Sequence, residues 1–145
     1  MTDKNVSIMN IGSMGYLPQV FKKIENEKKL NIVYLGGSIT MGCNATKTEL
    51  RYVDRSAKWW QTNFPDAEIS YFNAGIGATT SQFGVARVQE HVLDKQPDLV
   101  FVEFSVNDSS SPLFMETYES LVRRLLKAES VKAVVLINNL FYDTG

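Results

Sequence analysis

A serine stands at the end of an apolar run. Asn31-Ile32-Val33-Tyr34-Leu35 leads directly into Gly36-Gly37-Ser38-Ile39-Thr40-Met41-Gly42, which puts a hydroxyl nucleophile at the C-terminal lip of a buried strand. Open α/β sheets bind their ligands at that edge. Two more polar turns follow later apolar runs, Asn73-Ala74-Gly75-Ile76-Gly77-Ala78-Thr79-Thr80 and Ser105-Val106-Asn107-Asp108. The first offers the Gly77 N–H, the second the Asn107 side-chain amide. A serine hydroxyl with a backbone N–H and an asparagine amide nearby suits attack on an ester carbonyl. The two donors would hold the negative charge that develops on the carbonyl oxygen, and one such donor is worth ~3 kcal/mol of barrier.

Each turn also has a plain structural reading. Glycine-serine turns are common between strand and helix, and Asn-Asp pairs satisfy local backbone groups after a strand. Better-known motifs fit less well. Gly37 and Gly42 have the glycine spacing of a phosphate loop, but Cys43-Asn44 stands where the lysine and hydroxyl residue belong. Gly36 lies two residues before Ser38, but Thr40 replaces the second glycine of a nucleophile elbow. Gly75-Ile76-Gly77 begins a dinucleotide fingerprint that Thr80 does not complete. What favours chemistry is that all three turns close apolar runs of one kind.

Those runs alternate with helical patterns. Leu17, Val20, Phe21 and Ile24 recur at helical spacing around Pro18, a favoured first-turn residue. A strand is predicted over about 31–36. Leu50, Val53, Ala57, Trp60 and Phe64 mark an amphipathic helix ended by Pro65. Ile69–Asn73 reads as the second strand, and a helix from about Thr80 to Lys95 stops before Pro97. Leu99–Phe104 is the third strand. Ser111 and Pro112 open a helix carrying Phe114, Tyr118, Leu121, Val122 and Leu125, and Lys132–Ile137 is the fourth strand. Strands this apolar are covered on both faces, so the fold class is α/β, a parallel sheet with helices on both sides. A helix and an edge strand would normally follow. Residues 1–145 therefore read as a single domain, truncated before its last strand and helix.

The composition suits a soluble domain with a real core, 44% hydrophobic and 21% charged. Net charge is -1 with the signs interspersed, so nucleic acid and anionic membrane surfaces are not expected partners. No apolar run approaches the ~20 residues that span a bilayer. Met1–Tyr16 lacks the pattern of a signal peptide, which makes a cytoplasmic location the expectation. One cysteine, Cys43, excludes an internal disulfide and a cysteine-rich zinc site. Neither a metal nor an organic cofactor is expected.

Taken in order, the turns resemble the blocks of the SGNH hydrolases, also called GDSL-type esterases. Gly36–Thr40 resembles the first block, Asn73–Thr80 the second and Val102–Asp108 the third. The resemblance covers about residues 30–140. It implies a flavodoxin-like three-layer α/β/α sandwich and a serine esterase acting on small acyl esters, acetylated carbohydrates among them. Ser38 would be the nucleophile, with Gly77 and Asn107 in the oxyanion hole. The family's fourth block, an Asp-x-x-His that supplies acid and base, has no counterpart here. His91 is the one histidine, and about eleven residues of helix at ~1.5 Å each would hold it ~16 Å from the catalytic edge. A serine without a base is a poor nucleophile at neutral pH. The alternative is therefore a non-catalytic binding module of the same fold, and behind it a phosphate or nucleotide binder. A domain lacking its last strand is also expected to self-associate or to contact the missing fragment. Glu103, inside an apolar strand, should pair with Arg87 of the preceding helix. Trp60 should pack in the core beside Trp59. Cys43 should be a bystander near the serine turn.

Overall fold

The computed structural model describes residues 11–139. Helix α1 (Leu17–Glu27) carries Pro18 in its first turn and ends on Lys28 in a left-handed conformation. Strand β1 (Lys29–Gly36) follows, then a single turn of helix, α2 (Ser38–Met41), and helix α3 (Tyr52–Asn63). Phe64 leaves the helical region because Pro65 crowds it. Strand β2 (Glu68–Gly75), helix α4 (Ser81–His91), strand β3 (Leu99–Glu103), helix α5 (Pro112–Leu126) and strand β4 (Ala133–Leu136) complete the order. The predicted 80–95 helix is broken at Val92 and finishes as a short 3-10 turn over Leu93–Lys95. Ser111 does precede α5, but its side chain makes no capping hydrogen bond.

All strand pairs are parallel and the order is β2-β1-β3-β4. The first strand therefore lies between the second and the third, as a topological switch point requires. Among the described residues, β2 and β4 have no outer neighbour. The alternating side chains of β1 divide the core. Leu30, Ile32 and Tyr34 pack with Val20, Ile24, Val53 and Trp60 from α1 and α3. Val33 and Leu35 pack with Val88, Leu121 and Leu125 from α4 and α5. This is a three-layer α/β/α sandwich. Trp60 lies in the core as expected, whereas Trp59 is half exposed at its edge.

That alternation overturns the expected Glu103–Arg87 pair. Glu103 follows Leu99 and Phe101 in step and so faces the α1/α3 side, while Arg87 sits on α4 beneath the other face. Glu103 is fully buried, and its Oε1 accepts from the Asn139 amide at 2.7 Å and from the Ser105 hydroxyl at 3.2 Å. The carboxylate thus fastens the exit of β4 to the end of β3.

Candidate active site

The C-terminal ends of β1, β2 and β3 carry the three turns, because parallel strands all finish on one edge. Ser38 opens α2 directly after Gly37 and is half-buried. The peptide between Gly36 and Gly37 is held at both ends. The Gly37 N–H donates to the Glu103 carbonyl at 3.2 Å, and the Gly36 carbonyl accepts from the Ile76 N–H at 3.1 Å. Turns one, two and three are thereby joined through main chain alone.

Close approach explains the glycines at the strand ends. Gly36 and Gly75 are register partners across β1 and β2. A Cβ on Gly36 would overlap Thr40, and one on Gly75 would overlap the backbone of Thr40 and Met41. Only residues without a side chain let α2 fold back over the sheet edge at this point. Thr40 is fully buried there and shares a 2.8 Å hydrogen bond with the Tyr52 hydroxyl. Burial pushes the Tyr52 hydroxyl well above the ordinary tyrosine range, against the pull of its Thr40 hydrogen bond.

Asn73 ties the second turn to the first. Its amide donates to the Thr40 carbonyl at 2.8 Å, and its Oδ1 accepts from the Gly75 N–H at 2.9 Å. Beyond Gly75 the chain turns through Ala78, which adopts a left-handed φ of 56°. A non-glycine residue held there stores about 1–3 kcal/mol of strain. Gly77 lies against α2, with its Cβ direction 3.2 Å from the Met41 methyl.

Asn107 bridges the third turn to both others. Its Nδ2 donates to the Thr79 carbonyl at 2.7 Å. The same nitrogen lies 3.2 Å from the Cβ direction of Gly37, the residue before Ser38. An asparagine amide has two hydrogens, so one remains for another acceptor. Asp108, its neighbour, accepts from the Ser81 N–H at 2.9 Å and so caps α4, while Asn107 faces the serine turn. The sequence pair thus divides its work: Asp108 anchors the helix and Asn107 meets the site.

His91 lies away from these turns, while Cys43 stays beside the serine turn, its N–H donating to the Ser38 carbonyl at 2.9 Å. His91 lines a cleft of about 330 Å³ on the flank of β2, with Phe72, Asn73, Arg87, Glu90 and Lys95. Its Nδ1 is 3.3 Å from Arg87 Nη1. Arginine can only donate, so that nitrogen accepts and the ring is committed to Arg87 rather than to Ser38. Cys43 is exposed and unpaired. Among the described residues, no group of three or more His, Cys, Asp or Glu is arranged to hold a metal ion.

Three further residues support the site outside the roles expected of the three turn motifs. Thr79 supplies the carbonyl that orients Asn107. Arg51 packs its side chain over Gly42 and bonds Asp54 at 2.6 Å, buttressing the far end of α2. Burial opposes ionisation of Asp54, but the hydrogen bonds from Arg51 and Tyr71 outweigh it and hold the carboxyl below its ordinary range. The third is Arg87, buried with its Nη1 2.7 Å from the Ala74 carbonyl and its Nη2 3.1 Å from the Gly36 carbonyl. Its signal was available: Gly84, Arg87 and Val88 share one buried stripe of α4, and a cation on such a stripe must serve something.

Residues 34–144 match the sequence pattern of the GDSL-like Lipase/Acylhydrolase family. The chain is 48% identical to a solved two-domain esterase active on acetylated mannans, with a TM-score of 0.89, covering 93% of this chain and 36% of that one. The structure of such an esterase co-crystallised with mannopentaose matches at 49% identity and a TM-score of 0.80, over 86% of this chain and 35% of that one. An acetylxylan esterase from Geobacillus stearothermophilus shares the fold, with a TM-score of 0.62 at 22% identity over 74% of this chain and 58% of that one. No curated protein matches the chain in sequence. The chain spans about a third of the length of the mannan-active esterase. With its parallel α/β sandwich and three turns on one sheet edge, this chain belongs to the GDSL-like lipase/acylhydrolase family, the SGNH hydrolases.

Proposed function

We propose that this chain carries the nucleophile and oxyanion hole of a serine esterase that removes small acyl groups, acetyl groups on carbohydrate above all. Ser38 attacks the ester carbonyl. The Ser38 and Gly77 N–H groups and the free Asn107 amide hydrogen receive the oxyanion, and the alcohol leaves as the acyl-serine forms. Water then hydrolyses that intermediate. The base that takes the serine proton, with the aspartate that orients it, is supplied by an Asp-x-x-His block in the parent protein, outside these three turns.

The observation that carries this reading is the position of the Asn107 amide. It is oriented by Thr79 from the Gly77 turn and lies against Gly37, next to Ser38. A plain turn asparagine would satisfy its own loop. This one spans 28 residues to another turn instead. The preference for acetylated carbohydrate is supported by the activity of the mannan esterase that is 48% identical.

The test is hydrolysis of p-nitrophenyl acetate and of acetylated manno-oligosaccharides by the parent protein and its Ser38→Ala variant. Turnover is expected to fall by several orders of magnitude, to the modest level that binding and an oxyanion hole alone support. Ser38-independent turnover would refute the assignment. Saccharide binding with no turnover in the parent would favour the non-catalytic module.

A further inference from the structure

Arg87 is a buried cation without a carboxylate. Among the described residues no acidic side chain comes within ion-pair distance of it, and its buried Nε has no hydrogen-bond partner. A charge in that condition is costly, and a neutral side chain of similar size would pack there at less expense in desolvation. What the guanidinium does have is two main-chain carbonyls, Ala74 at 2.7 Å and Gly36 at 3.1 Å.

These carbonyls belong to two particular peptides. The Gly36–Gly37 peptide immediately precedes Ser38, and its N–H is bound by the Glu103 carbonyl. The Ala74–Gly75 peptide leads to Gly77, and its N–H is bound by the Asn73 side chain. Arg87 adds a hydrogen bond on the oxygen side of both, at Gly36 beside the Ile76 N–H that the same carbonyl already accepts. Each peptide plane is then fixed at N–H and C=O together, which sets the torsions on which the next residues are carried. One planar fork spans the two, so the rigid geometry of a guanidinium braces the separation that the Ile76–Gly36 main-chain bond sets between the serine turn and the glycine turn. The ring of Phe83, 5.7 Å from the guanidinium carbon, and His91 Nδ1 close the remaining sides.

We propose that Arg87 is a positioning residue for the reaction, holding the nucleophile turn and the oxyanion turn at their working separation from beneath the sheet edge. This rests on the serine-esterase reading. Arg87 does not touch substrate. It acts through the Gly36–Gly37 and Ala74–Gly75 peptides. A lysine in its place keeps the charge but offers one compact donor group, which cannot grip both carbonyls along a planar fork. A methionine keeps much of the stem and none of the donors.

The experiment compares Arg87→Lys and Arg87→Met with the parent protein, alongside Ser38→Ala. For each, kcat and KM on p-nitrophenyl acetate are measured per folded molecule, and amide hydrogen exchange is followed at Gly37, Gly75, Val100 and Val102. A small displacement of catalytic groups costs up to about a hundredfold in rate, so both arginine variants should lose about tenfold to a hundredfold in kcat with KM changed by less than about twofold. Exchange at Gly37 and Gly75 should quicken by about tenfold or more while Val100 and Val102 stay protected, as local loosening requires. A role in stability alone would lower the melting temperature and leave kcat per folded molecule intact, and that result overturns the proposal. Should Arg87→Met fail to fold, Arg87→Lys decides by the same criteria. If Ser38→Ala retains turnover, the serine reading fails by itself. The exchange measurement needs no turnover and still decides on Arg87: unchanged exchange at Gly37 and Gly75 in Arg87→Lys refutes it.

Discussion

The Asn73 amide donates to the Thr40 main-chain carbonyl at 2.8 Å, although 33 residues separate the two. This bond crosses from the end of β2 to the helical turn that begins at Ser38. Its other arm accepts from the Gly75 N–H, so a single side chain holds the end of β2 to α2. Removal of Asn73 should leave a partly buried carbonyl and an N–H unsatisfied, at about 1–3 kcal/mol. Asn73→Ala is expected to lower the free energy of urea unfolding by that amount. Asn73→Asp, which keeps the acceptor for Gly75 and loses the donor to Thr40, should fall between Ala and the parent.

Asn107 offers the sharpest test of the proposed oxyanion hole. Asn107→Ala in the parent protein should lower kcat about a hundredfold to a thousandfold, the cost of one lost oxyanion donor. KM for p-nitrophenyl acetate should change little, because the donor acts on charge that develops after binding. An unchanged kcat would remove Asn107 from the site and leave it as a brace to Thr79.

Ala78 holds a φ of 56°, one residue beyond Gly77. Glycine takes this conformation without the Cβ penalty but gives the unfolded chain more freedom, worth about 0.4–1 kcal/mol. Relief of about 1–2 kcal/mol of left-handed strain outweighs that. Ala78→Gly is therefore expected to raise stability by about 0.5–1 kcal/mol in denaturant titration. A loss of stability there would mean that the Ala78 methyl group packs to more effect than its exposure suggests.

The tyrosines set an alkaline limit on stability. Burial pushes both Tyr34 and Tyr118 from an ordinary 10.0 up to about 12. A group whose folded pKa is raised contributes stability that is complete below its unfolded pKa. That contribution is lost as pH rises toward the folded value. Melting temperature should thus fall between about pH 10 and pH 12. Tyr34→Phe, which removes the 2.8 Å hydrogen bond to Ser56 but titrates nothing, should shallow that fall. An alkaline limb identical to the parent's would contradict the prediction.

Much of the architecture was legible in the residues because hydrophobic period and turn chemistry are local properties. Leu17–Ile24 around Pro18, the 52–63 helix stopped by Pro65, and the apolar runs into Ser38, Asn73 and Asn107 each carry their own signal within a dozen residues. The family resemblance was equally local, three short blocks in order, and the match over residues 34–144 agrees with it. What the chain could not declare alone was which side chains meet. Glu103 and Arg87 carry opposite charges on consecutive elements, and sequence proximity alone suggests a pair. The sheet intervenes: alternation along β3 points Glu103 at α1 and α3, while α4 carries Arg87 beneath the other face. Each charge found neutral partners, Asn139 and Ser105 for one, the Gly36 and Ala74 carbonyls for the other. Likewise Asn107 and Thr79 meet only because parallel strands β1, β2 and β3 end on a common edge. Residue types and their spacing determined the elements and the turns between them. Strand order and register, set by burial of both sheet faces at once, decided which of those turns share a site and which buried groups hold it in place.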